Sequence, residues 1–511
     1  MANVQGLGFE ALIILSIYLL SNILIGYFAF RSGGTWVAKD YFLGGKTTGA
    51  IVLFFAMLAT KFSGNTFFGL PGRSYRVGLM AVTLIPFTIA ITLAFITYAP
   101  RLYVLSKKYD YLTPADYYAD RFNSQGLRLF VSVFFILSVI PYLLIQTAAM
   151  GHAFVGFTGG QYSFATGVIY IGTVMLAYVL LSGWRGVVWA EVLQGSLLLA
   201  AIVLAAIFLV SQEGGLAAVV RQAVAVAPEK VVVPASLTDL TRSYLFGILA
   251  FGLGGAMYPQ IVQSVYAAKS ERALRRSLLM MLPNYFIILL CVVIIGLVGI
   301  IRLDGLGTIE ADQVLAQLMG RHAGKAYWLT IFIFLGAAAA VMSTAAGVLL
   351  TLSSMVTHDL YRHYIRPHAS ENEIGAAGRV FTVLILVTVT ALSLRPLTTL
   401  WNLTIIKFEF LMQLYLPLIL GLYWPRFSRT AAMAGLAAGV ITVGGMMLGG
   451  VKYLWVFDPG LCGFVVNSAV GVGTTLLSQQ SEADQGRTQE RFFALFTGRA
   501  SERQQFRNLF R

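Results

Sequence analysis

The fold of this chain is indicated by an apolar segment with polar residues at its centre, AMLATKFSGNTFFGLPG at residues 56–72. Lys61, Ser63, Asn65 and Thr66 interrupt a stretch otherwise suited to a membrane span. A charged side chain at the centre of a bilayer is costly, so Lys61 has to face a cavity or a partner. Irregular backbone at membrane depth occurs only where it lines a cavity or is buried in protein. The segment therefore predicts a broken transmembrane helix beside a substrate or ion site.

The composition places this segment in a polytopic, all-α membrane protein. The 511 residues are 58% hydrophobic and 11% charged, against about 45–50% and about 25% in a soluble domain. The apolar runs are continuous rather than alternating, unlike the strands of a membrane β-barrel. The composition also excludes a disordered chain, a disulfide scaffold and an ordinary cytosolic enzyme. The two cysteines, Cys291 and Cys462, lie in apolar runs and are interpreted as packing residues.

Thirteen segments are apolar over about 20 residues, the length needed to span a bilayer. They are 9–30, 47–71, 78–100, 129–156, 162–182, 186–211, 243–266, 277–301, 326–355, 378–395, 398–424, 430–449 and 455–478. With the N-terminus outside, 24 of the 36 Lys and Arg residues fall on cytoplasmic loops and the C-terminal tail, and 10 fall outside. Cytoplasmic loops carry an excess of these residues. This distribution therefore predicts N-terminus out and C-terminus in, and it explains the net charge of +14 without a nucleic-acid surface.

A second interruption, GLGGAMYPQ at 252–260, lies in the seventh span, five spans after the first. Paired interruptions at corresponding positions indicate inverted repeats around a binding site at the membrane midplane. The predicted division is a leading helix and loop at 1–46, repeat halves at 47–211 and 243–424 separated by an extracytoplasmic loop at 212–242, two trailing helices at 425–480 and a basic tail at 481–511. Phe492, Phe493, Leu495 and Phe496 could form an interfacial helix in that tail, and a solvated tail is the alternative.

The ninth span carries adjacent hydroxyl groups, Ser343 and Thr344, in a run of small residues. Neutral oxygens with backbone carbonyls could hold an alkali cation, whereas transition metals prefer His or Cys. In the alternative interpretation the hydroxyls bond only to the preceding helical turn.

Short motifs in this order resemble the sodium:solute symporter family over residues 40–430. They include YFLGG at 41–45, FGLPG at 68–72, PADY at 114–117, WAEVLQ at 189–194, AAKS at 267–270, MST at 342–344 and DLY at 359–361. The resemblance implies thirteen helices with a five-plus-five inverted repeat and a multi-pass protein of the cell inner (plasma) membrane.

The resemblance also implies a sodium ion between the broken helix and the ninth span. By position, its ligands are the carbonyl oxygens of Ala59, Phe62 and Ala340 and the hydroxyl oxygens of Ser343 and Thr344. Some relatives bind a second sodium through an aspartate and later serines. Here those positions hold Glu191, Ala346 and Gly347, so we expect one coupled ion.

Lys61 is the most informative residue for the solute. Beside a cation site it could pair with a substrate carboxylate, form an internal ion pair with Glu409 or Glu191, or couple protons. The family's sugar-binding side chains are missing, because the corresponding positions hold Leu84, Ile85, Thr88, Phe251, Gly254 and Gly255. MYPQ at 257–260 and LPNY at 282–285 instead resemble the monocarboxylate and pantothenate branch. The candidate substrate residues are Lys61, Ser63, Asn65, Thr66, His152, Gly254 and Tyr258, and Glu191 and Glu409 are candidates for proton or ion coupling.

The sequence thus predicts a sodium-coupled symporter that imports a small organic anion. The alternatives are a sodium- or proton-coupled carrier of amino acids or pantothenate, and a transporter-like solute sensor. We expect no catalytic residues, and no obligate protein partner besides the solute and the bilayer.

Overall fold

The computed structural model describes residues 6–31, 48–232, 236–396, 398–478 and 482–497. The motif at 41–45 and the tail beyond residue 497 lie outside these ranges. Within them, β-type pairing is limited to two isolated bridges. The α-helices are Phe9–Arg31, Ala50–Lys61, Gly64–Phe67, Gly69–Val77, Leu84–Lys108, Pro114–Phe122, Gln125–Phe157, Phe164–Gln212, Leu216–Val226, Leu237–Leu245, Gly252–Ala256, Pro259–Ala267, Glu271–Arg302, Val314–Arg321, Tyr327–Ser354, Glu371–Leu392, Leu400–Leu411, Tyr415–Tyr423, Arg429–Leu448, Pro459–Leu477, Glu482–Thr488 and Ala494–Thr497.

Eleven of the described helical segments are long and apolar enough to cross a membrane. The other two predicted spans are the ones predicted to be broken. Their pieces Ala50–Lys61 and Phe246–Ala256 are short because each helix stops at an interruption. The all-helical fold with two broken helices is confirmed, whereas the number of helices that cross a bilayer stays a prediction.

Several boundaries differ from the predicted ones, and two of these differences have a clear physical reason. The tenth span begins at Glu371 rather than 378, because Ser370 and Glu373 form a capping box, an arrangement that starts helices. The loop predicted at Arg185 is instead helical, within the 49-residue helix Phe164–Gln212. This stretch contains no proline, which would remove a backbone hydrogen bond and end the helix.

The outer surface of the helical assembly is apolar. Ile17, Leu93, Val380 and Ile441 expose between 57% and 72% of their surface. Soluble monomers rarely expose large contiguous apolar patches. This surface therefore fits contact with the acyl chains of a bilayer.

The helix Tyr327–Ser354 lies at the centre of the protein. Every residue from Gly336 to Ser354 is buried, and the helix packs against Phe164–Gln212 and Gln125–Phe157. Its small residues permit close approach, since a Cβ on Gly336 would lie 2.2 Å from Ala201 Cβ. The hydroxyls of Ser343 and Thr344 are thereby held in the interior.

Arg121 joins the first half of the chain to the eleventh predicted span. Its buried guanidinium donates to the carbonyl oxygen of Gly421 at 2.7 Å. It also donates to the carbonyl oxygens of Trp424, Pro425 and Phe427 at 3.2–3.3 Å. These carbonyls lie at and just beyond the end of the helix Tyr415–Tyr423, where backbone acceptors lack helical partners.

The two described ends of the chain lie at opposite ends of the 33-residue helix Gln125–Phe157. Leu7 N–H donates to the Phe157 carbonyl at 2.8 Å. The tail packs near the other end, where Arg491 pairs with Asp120 at 2.6 Å and Phe492 is buried. This part of the tail therefore packs on the protein and is not free in solvent. Which end faces the cytoplasm stays a prediction from the charge distribution.

Candidate functional site

The first broken helix stops at two extended residues, Phe62 and Ser63, which we call the first break. Ala50–Lys61 precedes them and Gly64–Phe67 follows. Ser63 caps the new turn by accepting from Asn65 N–H at 3.2 Å. A Cβ on Gly64 would lie 2.7 Å from Ala149 Cβ, so glycine permits the close approach of the helix Gln125–Phe157. The break lies within the polar stretch that predicted it.

The structure brings four of the five predicted sodium-ligand residues into contact in two pairs. Thr344 Oγ1 donates to the Ala59 carbonyl at 2.6 Å, joining residues 285 positions apart. Ser343 Oγ donates to the Ala340 carbonyl at 3.2 Å. The fifth residue, Phe62, is the first extended residue beyond the helix.

All five of these residues are buried, with 2% or less of their surface exposed. Their candidate donor atoms are neutral oxygens, which suit a hard, weakly bound alkali cation better than a transition metal. The Ser343 bond to Ala340 fits the alternative in which the hydroxyls bond only to the preceding helical turn, whereas the Thr344 bond to Ala59 joins two different helices. The donor set therefore fits sodium, and binding stays a proposal.

The second broken helix is interrupted at Met257 and Tyr258, which we call the second break. A π-helical turn at Phe246–Phe251 and the short helix Gly252–Ala256 lead into it. Pro259 then starts the helix Pro259–Ala267, as expected for proline in a first helical turn.

A cavity with about 40 Å³ of free space lies between the two breaks. It is lined by five of the predicted substrate residues and by unpredicted neighbours from four other helices. The predicted ones are Lys61, Ser63, Asn65, Thr66 and Tyr258, and the others include Thr88, Tyr142, Leu289, Thr404, Lys407 and Phe408. This space holds about three water molecules. A larger solute therefore requires side chains or helices to move.

Lys61 contacts a neutral partner. Its Nζ donates to the Tyr285 hydroxyl at 2.6 Å, which also accepts from Thr92 Oγ1 at 3.1 Å. Among the described residues no carboxylate lies within 4.0 Å of this ammonium. The internal ion pair with Glu409 or Glu191 is therefore not part of this conformation.

His152 and Gly254 do not line the cavity. The buried His152 ring packs edge-on against Phe164 at 5.0 Å, because it lies on another face of the helix Gln125–Phe157. Gly254 instead permits close packing, since a Cβ there would lie 2.5 Å from the Phe408 carbonyl oxygen. Both were predicted from position alone, which does not give the direction of a side chain.

Glu191 and Glu409 lie apart from Lys61. Glu191 lies near Gly347, where a Cβ would be 3.6 Å from Glu191 Oε1 and 3.9 Å from Thr60 Oγ1. Glu409 lines a separate cavity of about 790 Å³ with Arg73 and Asp458. Glu191 is thus close to the first break, and Glu409 is not.

Lys407 was missed as a site residue. Its Nζ lies 3.7 Å from the centre of the Tyr142 ring, 4.8 Å from Tyr258 and 4.6 Å from Phe408. The available signal was a lysine inside an apolar span, the same signal that singled out Lys61. Lys407 and Glu409 are two residues apart and therefore lie on different faces of the helix, which places them in separate cavities.

Comparisons with known proteins agree with this fold. The sequence model of the sodium:solute symporter family matches residues 41–439. The osmoregulated proline transporter OpuE of Bacillus subtilis is 28% identical over 92% of this chain and 95% of its own length. The sodium/pantothenate symporter of Escherichia coli is 27% identical over 87% and 92%. A solved Na⁺-coupled sialic acid symporter, substrate-bound and outward-open, aligns with a TM-score of 0.77 at 20% identity over 93% and 99%.

Proposed function

This chain belongs to the sodium:solute symporter family, and we propose that it imports a small organic anion, of the monocarboxylate kind, together with sodium by alternating access. As a member of that family it is a membrane transporter and not an enzyme. We place it in the cell inner (plasma) membrane by analogy with its bacterial relatives, and with the N-terminus outside because of the charge distribution of the loops.

The observation that supports an anionic solute is the position of Lys61. Its ammonium is in the cavity wall, two residues from Ala59, and its described partner is the neutral Tyr285 hydroxyl. A buried cation without a counter-charge is unfavourable. A solute carboxylate supplies that charge when it enters.

The same carboxylate explains how a lysine tolerates a nearby sodium ion. The two cations repel each other, and an anion between them reduces that repulsion. Sodium held by Ala59, Phe62, Ala340, Ser343 and Thr344 then favours solute binding, and the solute favours sodium binding by the same factor. We propose one ion per solute, because Ala346 and Gly347 offer no side-chain oxygen for a second.

An amino-acid or pantothenate carrier is the second candidate. It is favoured by the named solutes of the relatives, which are proline and pantothenate. These solutes also carry a carboxylate, so Lys61 alone does not separate them from a monocarboxylate. The solute-sensor alternative has no particular observation in its favour.

The test is uptake into proteoliposomes of a panel of labelled carboxylates and amino acids, with sodium and proton gradients imposed separately. We expect sodium-driven uptake of an organic anion. Uptake that a proton gradient alone drives, or a neutral substrate without a carboxylate, would contradict the proposal.

The role of Lys61 is tested by Lys61→Ala, with the exposed loop residue Lys325 changed to alanine as the control. A hydrogen bond to a charged group contributes about 1.5–3 kcal/mol, so solute affinity should fall roughly 10- to 100-fold. Sodium binding without solute, measured by calorimetry, should persist. Lys61→Arg should rescue poorly, because its planar guanidinium is larger. Unchanged solute affinity in Lys61→Ala would remove Lys61 from the site.

A further inference from the structure

The second lysine of the cavity, Lys407, is buried and lies in an aromatic cage. The rings of Tyr142, Tyr258 and Phe408 surround the Lys407 ammonium at 3.7–4.8 Å from their centres. Tyr142 and Tyr258 are stacked with ring centres 4.9 Å apart, and Tyr258 lies 5.6 Å from Phe408. All four residues line the cavity between the two breaks.

Such a cage is a binding site for ammonium groups, because the faces of aromatic rings carry negative potential. In this chain the protein itself fills the cage. A solute ammonium would have to displace a covalently attached competitor that is always present. It would also enter a cavity that already contains Lys61.

The charges of the cavity lead to the same conclusion. Its lining contains two lysines, and no aspartate or glutamate among the described residues. An amino acid brings a carboxylate that Lys61 can bind, but its ammonium finds no carboxylate, and Lys407 already occupies the aromatic cage. A carboxylate without an amine meets no such obstacle.

We infer that Lys407 is a specificity-determining residue, whose ammonium fills the cation subsite so that the cavity accepts carboxylates without an amino group and rejects amino acids. This inference rests on the proposed anion transport and narrows its substrate class. On this inference, the chain differs in substrate class from the relatives whose names specify proline.

The test uses solute pairs that differ only in the amine. Proline is compared with tetrahydrofuran-2-carboxylate, in which oxygen replaces the ring nitrogen, and alanine with lactate. Binding to the purified full-length protein is measured by calorimetry in sodium and in potassium. We expect the amine-free member of a pair to bind at least about tenfold more tightly in sodium.

The variant Lys407→Met empties the cage and keeps the length of the side chain. Because a solute ammonium can then make the cation–π contacts that Lys407 makes in the wild type, the preference for the amine-free member should shrink about tenfold or reverse. Lys407→Arg keeps a cation against the rings and should keep the preference. It serves as the matched control, and it tests the inference by itself if the methionine variant does not fold.

Three results would overturn the inference. One is equal binding of both members of each pair by the wild type, and another is an unchanged ratio in Lys407→Met. The third is a dicarboxylate, succinate, binding more tightly than butyrate, because Lys407 would then be a second carboxylate ligand. Absence of sodium-dependent binding by any acid on the proposed-function panel would instead overturn the anion proposal itself.

Discussion

Both breaks interrupt an apolar helix, but they differ in sequence and in construction. At the first break, two extended residues interrupt the helix beside the hydroxyl groups of the helix Tyr327–Ser354. At the second, glycines bring the helix close to its neighbours. A Cβ on Gly255 would lie 2.6 Å from Ile91 Cδ1, and one on Gly247 would lie 1.9 Å from the Phe87 ring.

This difference shows how a repeated element can take two roles. The first break presents backbone and hydroxyl oxygens, which suit an ion. The second break removes side chains on one face and presents the Tyr258 ring to the cavity on another. The division into inverted repeats stays a proposal, but each break has its own chemistry.

The largest effect is expected at the second break. Gly254→Ala places a Cβ 2.5 Å from the Phe408 carbonyl oxygen and 3.0 Å from its Cα, and this backbone cannot move aside cheaply. Overpacking costs about 1–3 kcal/mol. Thermal stability in detergent and sodium-driven uptake should both fall.

Gly444→Ala is the control for that substitution, because it lies within the helix Arg429–Leu448 with nothing within 4 Å of the added Cβ. It should be neutral or stabilising by up to about 1 kcal/mol. Equal stability of the two variants would mean that close packing is not what glycine provides at the second break.

A more selective effect is expected at the first break. Thr344→Ala removes a proposed sodium ligand and the 2.6 Å bond to the Ala59 carbonyl. The sodium concentration for half-maximal uptake should rise about tenfold or more. Thr344→Ser keeps the hydroxyl and should stay near wild type. An unchanged sodium dependence in Thr344→Ala would argue for the purely structural alternative.

The ion count gives a smaller, quantitative test. We expect a reversal-potential measurement to give one sodium per solute, because Gly347 faces Glu191 and Thr60 without a side-chain oxygen of its own. Glu191→Gln should leave that ratio unchanged. A ratio of two would mean that Glu191 and Thr60 form a second site.

The smallest effect concerns Asp312, which anchors the C-terminal part of the first broken helix, Gly69–Val77. It pairs with Arg76 at 3.0 Å and accepts from Leu400 N–H at 2.7 Å. Burial raises the pKa of Asp312 to about 6, although Arg76 opposes this shift. Because the folded protein holds the proton more tightly, stability should fall by about 1 kcal/mol from about pH 5 to about pH 7.

Asp312→Asn should lack that component of the pH dependence. The difference between wild type and variant, measured as unfolding free energy across this range, isolates the carboxyl group. A wild type that gains stability relative to the variant as pH rises would reverse the sign of the predicted shift.

The sequence predicted what depends on local chemistry. Lysine, serine, asparagine and threonine inside an apolar segment indicated the first break, and glycines followed by proline indicated the second. The pairing of Thr344 with Ala59 followed from a family resemblance and not from spacing, since 285 positions separate the two residues.

The cage around Lys407 could not be predicted in this way. Its rings come from the helix Gln125–Phe157, the second break and the helix Leu400–Leu411. Which faces of these elements meet depends on how they pack. For the same reason, the sequence predicted the helix that contains His152 but not the direction of the His152 side chain.

The contacts of Arg121 also constrain the order in which parts of the protein can fold during synthesis. Its guanidinium finds carbonyl partners from 300 positions further along the chain. During synthesis at about 5–20 residues per second, those partners are absent for at least about fifteen seconds after the arginine is added. Until then the arginine must be solvated or held by another factor. The first half of the transporter therefore cannot reach its final packing before the eleventh predicted span has been translated.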